Sequence, residues 1–151
     1  MSRADTGSRL IAASPERLYA AYVDPEAIAA WRPPAGMTAR IEAFDPREGG
    51  GYRMAFVYED AATAGKSGDN VDLFEGRFVE LVPGRRIVEQ VVFDSSDPAF
   101  AGTMTITTTF EPAGSGTLVS VACANVPAGI SETDHRAGIA SSLENLAAFV
   151  E

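Results

Sequence analysis

The chain is short of the residues that most enzyme chemistry uses: 151 residues contain one cysteine, one tryptophan and one histidine. A lone Cys123 cannot close an internal disulfide. One histidine, one cysteine and scattered acids supply no metal-ligand spacing, and no G-x-S-x-G elbow presents a hydrolase serine. No metal and no cofactor is expected. Positive charge is also scarce, with 12 Lys and Arg against 21 Asp and Glu and a net charge of −9. Without a basic patch such a surface repels a phosphate backbone, so nucleic acid is not expected as a partner. Apolar runs stay well below the roughly 20 residues of a membrane span. No charged-then-apolar leader is visible, so a reducing, cytoplasmic setting is expected. One apparent phosphate motif fails. In Ala64-Gly65-Lys66-Ser67 the first glycine of GxxxxGK[ST] would fall on Asp60, and no helix pattern follows.

What the sequence does contain is 46% hydrophobic residues, enough for a single core in one domain spanning 1–151. The clearest element is the last, from Ser131 to Glu151. Ile139, Leu143, Leu146 and Val150 recur at helical spacing, with Ala147 beside them and Arg136, Glu144 and Asn145 opposite. Ser131 followed by Asp134 resembles a capping box, and the acidic first turn suits the positive end of the helix dipole.

Taken from the start, residues 8–13 form a short apolar stretch that stops at Ser14-Pro15-Glu16, a strand followed by a helix start. Asp24-Pro25 breaks that helix, and a second runs from Glu26 to Trp31 before Pro33-Pro34. From Met37 the period becomes two. Tyr52, Met54, Phe56 and Tyr58 alternate with Arg53, Ala55 and Val57 after the glycines at 49–51. Residues 61–70 read as a long mobile loop. Strands follow over 71–82, 85–94, 102–111 and 117–125, with turns at Pro83-Gly84 and Gly114-Ser115-Gly116.

This order predicts an α+β fold: a curved antiparallel sheet of about seven strands wrapped around the C-terminal helix, with two short helices after the first strand. Because those helices plug only one end, a cavity between sheet and helix is the natural place for a ligand. The order, together with Trp31-Arg32-Pro33-Pro34, Asp45-Pro46-Arg47-Glu48-Gly49-Gly50, Gly76 through Glu80 to Pro83, and Asp134-His135 before Gly138, resembles a known family. It is the activator-of-heat-shock-ATPase-like branch of the START and birch-pollen-allergen superfamily, and the resemblance spans nearly the whole chain. It implies the helix-grip fold, which carries lipid carriers, polyketide cyclases, hormone receptors and co-chaperone domains. Relatives often place tryptophan after the helix glycine, where this chain has Ile139.

A two-residue turn at Pro83-Gly84 would pair Val82 with Arg85, Glu80 with Ile87, Phe78 with Glu89, Gly76 with Val91 and Phe74 with Phe93. The Phe74, Gly76, Phe78 face is the better core face, with Asp72 at its start, and Gly76 leaves room against the helix or a ligand. Following the strands places His135 near Met104, Phe93, Phe74 and Asp72. Glu80 and Glu89 lie at the other end, where they are either inward carboxylates or, as closeness to a turn favours, in solvent. Asp72 with His135 is therefore the only acid and histidine combination, and these two are the catalytic candidates.

The residues expected to face a ligand are Trp31, Tyr52, Met54, Phe56, Phe74, Phe78, Phe93, Met104, His135 and Ile139; aromatic and methionine residues on an inner sheet face also fill core volume. Three functions fit. One is binding of a small hydrophobic molecule. Another is a cyclase- or hydratase-like reaction with His135 moving a proton and Asp72 orienting it. The last is a protein-interaction domain of the chaperone-activating kind. A homodimer is compatible with all three.

Overall fold

The computed structural model of the protein describes residues 3–60 and 62–151. Strand β1 (Ala4–Ile11) leads into helices α1 (Pro15–Tyr22) and α2 (Pro25–Trp31). Strands β2 (Met37–Phe44), β3 (Gly51–Tyr58), β4 (Val71–Val82), β5 (Arg86–Phe93), β6 (Met104–Ala113) and β7 (Gly116–Ala124) follow, and helix α3 (Glu132–Val150) ends the order. The seven strands form one sheet in the order β1-β7-β6-β5-β4-β3-β2, with every neighbouring pair antiparallel. This is the helix-grip arrangement.

Strand β1 begins four residues earlier than its apolar stretch suggests. Its inward positions near the start hold Asp5 and Gly7, so no alternation of apolar residues marks it. Pairing with β7, from Ala4 on Ala124 to Ile11 on Thr117, decides its length instead. Gly7 serves a close approach: a Cβ there would lie 2.7 Å from Cγ2 of Ile139 on α3. Both short helices carry the expected starts, Ser14 accepting from the Arg17 N–H at 3.2 Å and Asp24 from the Glu26 N–H at 3.0 Å.

The β4–β5 hairpin corrects the expected turn. Val82 pairs with Arg86 across a three-residue loop, closed by the Arg85 N–H donating to the Val82 carbonyl at 2.9 Å. A bulge between Phe78 and Glu80 then removes the extra residue. From Phe78 onward the partners are Glu89, Val91 and Phe93, as the simpler turn also predicts. Two departures cancel, and the inner face is unchanged.

Ser131 caps α3 by accepting from the Asp134 N–H at 3.3 Å. Leu143, Leu146, Ala147 and Val150 are buried in the core, the leucines and the valine each contributing about 1.5–3 kcal/mol relative to exposure. Polar contacts clamp the helix on both sides. Arg136 Nη1 donates to the Thr6 carbonyl of β1 at 3.1 Å, while Ser142 Oγ donates to the Arg32 carbonyl at 2.7 Å and Asn145 Nδ2 to the Pro33 carbonyl at 3.0 Å. Held between β1 and the α2–β2 connection, α3 stands across from the middle strands and leaves a gap. No helix among the described residues is long and apolar enough to cross a membrane.

Candidate functional site

The gap between α3 and the sheet is a pocket of about 540 Å³. Trp31, Phe56, Phe74, Phe93, Met104, His135 and Ile139 line it, together with Asp72. Tyr52, Met54 and Phe78 do not. They are 4% exposed or less and lie in the core beyond the pocket, where Tyr52 and Phe78 pack edge to face at 5.5 Å. Trp31 is held by its indole N–H donating to the Ala21 carbonyl at 2.9 Å, with Tyr22 against it at 4.6 Å. Ile106 and Thr108 also line the pocket, and the period-two alternation from Met104 along β6 could have found them.

His135 and Asp72 share this pocket, but they are not partnered. His135 Nδ1 lies 2.7 Å from Asp5 Oδ2, on the strand whose inward acid the apolar pattern hid. With a carboxylate at Nδ1, the other ring nitrogen, Nε2, has no protein partner among the described residues. Arg3 donates to the same carboxylate from Nε at 3.1 Å and Nη2 at 3.0 Å. Burial by itself would raise the Asp5 carboxyl, but the bonds from His135 and Arg3 and their charges outweigh it and hold it below its ordinary value. A depressed carboxyl stabilises the fold above its unfolded value, about 3.9, and that stability is lost as pH falls through the folded value. The stability gap between wild type and Asp5→Asn, from urea unfolding, is therefore expected to shrink as pH falls below about 5. A gap that stays constant over that range removes the Asp5 carboxylate as its source.

Asp72, 4% exposed, is instead bound by the loop that precedes β4. Lys66 donates from its backbone N–H to Oδ1 at 2.7 Å and from Nζ to Oδ2 at 3.0 Å, and Tyr58 OH lies 3.4 Å away. Ser67 and Asn70 add bonds to Leu73 and Tyr58, so the described part of the expected loop folds back on β4; Ala61 lies outside the described residues. Lys66, dismissed with the false phosphate motif, thereby lines the pocket mouth, its Nζ 5.3 Å from the Phe93 ring centroid.

The larger omission is Glu89. Its pairing with Phe78 already put it on the inner face, yet closeness to a turn suggested solvent. It is 1% exposed. The two short helices cover that end of the sheet, and Arg32, at the end of α2, supplies the counter-charge with Nη2 3.0 Å from Oε1. Tyr52 OH donates to the same oxygen at 2.7 Å, its ring crossing directly over Gly76. The room at Gly76 belongs to Tyr52, not to a ligand or the helix. Burial, then the charge of Glu89, drives the Tyr52 phenol well up. The same two causes push the Cys123 thiol up to about 12, leaving it a neutral member of the pocket wall. Oε2 of Glu89 has no partner among the described residues.

A curled seven-stranded sheet gripping one long helix over a largely apolar pocket defines a helix-grip protein. The chain belongs to the family described as Activator of Hsp90 ATPase homolog 1-like protein, whose model matches residues 12–151. In sequence and structure it is similar to a Chromobacterium violaceum protein, 34% identical with a TM-score of 0.88, the match covering 98% of this chain and 96% of that one. A Rhizobium loti protein is 25% identical with a TM-score of 0.74, over 99% of this chain and 97% of that one. A Rhodobacter sphaeroides protein, 19% identical over 96% and 90% with a TM-score of 0.78, shares the fold. Among curated proteins nothing matches the chain.

Proposed function

We propose that this protein binds a small, mainly apolar molecule in the pocket between sheet and α3. The observation that carries this reading is the pocket itself: about 540 Å³, walled by Phe56, Phe74, Phe93, Met104, Ile106 and Ile139. Ligand sites typically have about 300–1,000 Å³ and such walls. The neutral fluorophore phenylnaphthylamine is expected to bind saturably, one per chain. Ile106→Phe, which puts a larger side chain into the space, is expected to weaken it at least tenfold while the melting temperature holds. Equal affinity in the two proteins, or none in either, would sink the reading.

One observation favours a second reading, proton transfer on a bound molecule. Asp5 orients His135, and the free Nε2 belongs to a residue of the pocket wall. In the cyclase- or hydratase-like version, a ligand recovered from the host would lose water with the wild type and not with His135→Ala. Identical conversion by the two would eliminate it. The reading as a chaperone-activating interaction domain draws on the family description alone.

A further inference from the structure

We infer that the molecule this pocket takes carries an uncharged hydrogen-bond acceptor, such as a ketone, ester or amide carbonyl, and that Arg32 holds it. The inference rests on the pocket-binding reading and adds the ligand's chemical class. Arg32 is fixed before any ligand arrives. Its N–H donates to the Ile28 carbonyl at 2.9 Å, and its own carbonyl accepts from Ser142 of α3. Its guanidinium is gripped from one side, by Glu89 Oε1 and by the Tyr52 ring, whose centroid is 5.5 Å from Cζ.

That grip uses little of what arginine offers. A guanidinium has about five N–H donors. Nη2 bonds to Glu89 and the guanidinium also meets the Tyr52 hydroxyl, and no further acceptor is bonded to it among the described residues. Arg32 lines the pocket with a side chain only 12% exposed, and its unused donors are not sealed from solvent, so an occupant takes the place of the water they face. An apolar occupant would cover them unpaired, whereas an acceptor oxygen would satisfy them.

Charge decides which acceptor. The Arg32 cation is already neutralised by Glu89, and Lys66, the other cation of the wall, by Asp72. Asp134 adds a further carboxylate to the wall, and Asp5 stands behind His135. A carboxylate or phosphate ligand would leave water for a site whose positive charges are spent. A neutral carbonyl incurs no such penalty.

Three matched probes test this by displacement of phenylnaphthylamine: methyl naphthyl ketone, ethylnaphthalene, which has the same shape without the oxygen, and naphthoate. The ketone is expected to bind at least about tenfold more tightly than either of the others. In the Arg32→Met/Glu89→Met double variant, which replaces the buried pair by apolar side chains of similar size, the preference for ketone over ethylnaphthalene should fall to within about twofold. Infrared spectra give a readout that needs no variant: the carbonyl stretch of the ketone bound to wild type should lie below its frequency in hexane. Equal binding of ketone and ethylnaphthalene, a tightest-binding naphthoate, a preference that survives in the double variant, or an unshifted carbonyl would each overturn the inference while pocket binding stood. Failure of the fluorophore and every probe to bind would overturn pocket binding itself.

Discussion

Gly76→Ala is expected to destabilise the protein by about 3–5 kcal/mol, a large effect for one methyl group. Gly76 sits on β4 directly opposite Tyr52 on β3, and Val91 on β5 is its other partner. The Tyr52 ring lies across it, so a Cβ would collide with Cζ and the hydroxyl oxygen. The ring has nowhere to go. Phe44 stacks on it at 6.1 Å, Phe74 and Phe78 meet it edge-on at 6.2 and 5.5 Å, and the residue is 4% exposed. Overpacking of this kind costs about 1–3 kcal/mol. Moving the ring also breaks its bond to Glu89, a hydrogen bond to a charged group worth about 1.5–3 kcal/mol. Denaturant unfolding measures the sum. In a Tyr52→Leu background the same substitution should cost clearly less, because the clash and the bond are both gone. A cost that is additive in the two backgrounds, or below about 1 kcal/mol in wild type, would show that the ring does not depend on the glycine.

Glu89→Ala is expected to cost a similar amount, about 3–5 kcal/mol, for an electrostatic reason. It strands the Arg32 guanidinium in the interior and leaves the Tyr52 hydroxyl without its acceptor. Burial opposes the charge on Arg32, and the carboxylate of Glu89 beside it offsets that cost and moves its pKa up. The Arg32→Met/Glu89→Met double variant should recover most of the loss, since a buried pair replaced as a unit by apolar side chains is often close to neutral. Urea unfolding of wild type, single and double variants decides it. A double variant as damaged as Glu89→Ala would mean that the cost lies in packing rather than in an uncompensated charge.

Both effects arise where one-dimensional reading meets its limit. Hydrophobic period and turn residues are local signals, and they sufficed for α3, for the break at Asp24-Pro25 and for the inner face of β4 and β5. They failed at β1, because its inward positions hold Asp5 and Gly7 and the strand is defined by its partner β7. They also failed at Glu89, whose register placed it inward while its charge argued for water. A charge is buried only when another segment brings its counterpart, and Arg32 is 57 residues away in sequence. His135 shows the same limit: its level in the fold followed from strand directions, but the choice between Asp72 and Asp5 depended on Lys66 occupying one and leaving the other, 130 residues distant, to the imidazole.

The sequence by itself therefore determined the order of elements, the helix-grip fold and the inner face of β4 and β5, because these follow from periodicity and chain direction. Tertiary structure alone decided the pairing of acids with bases and the use of space above Gly76. Those outcomes depend on which distant side chains arrive within about 3 Å of each other, and local pattern carries no record of that distance.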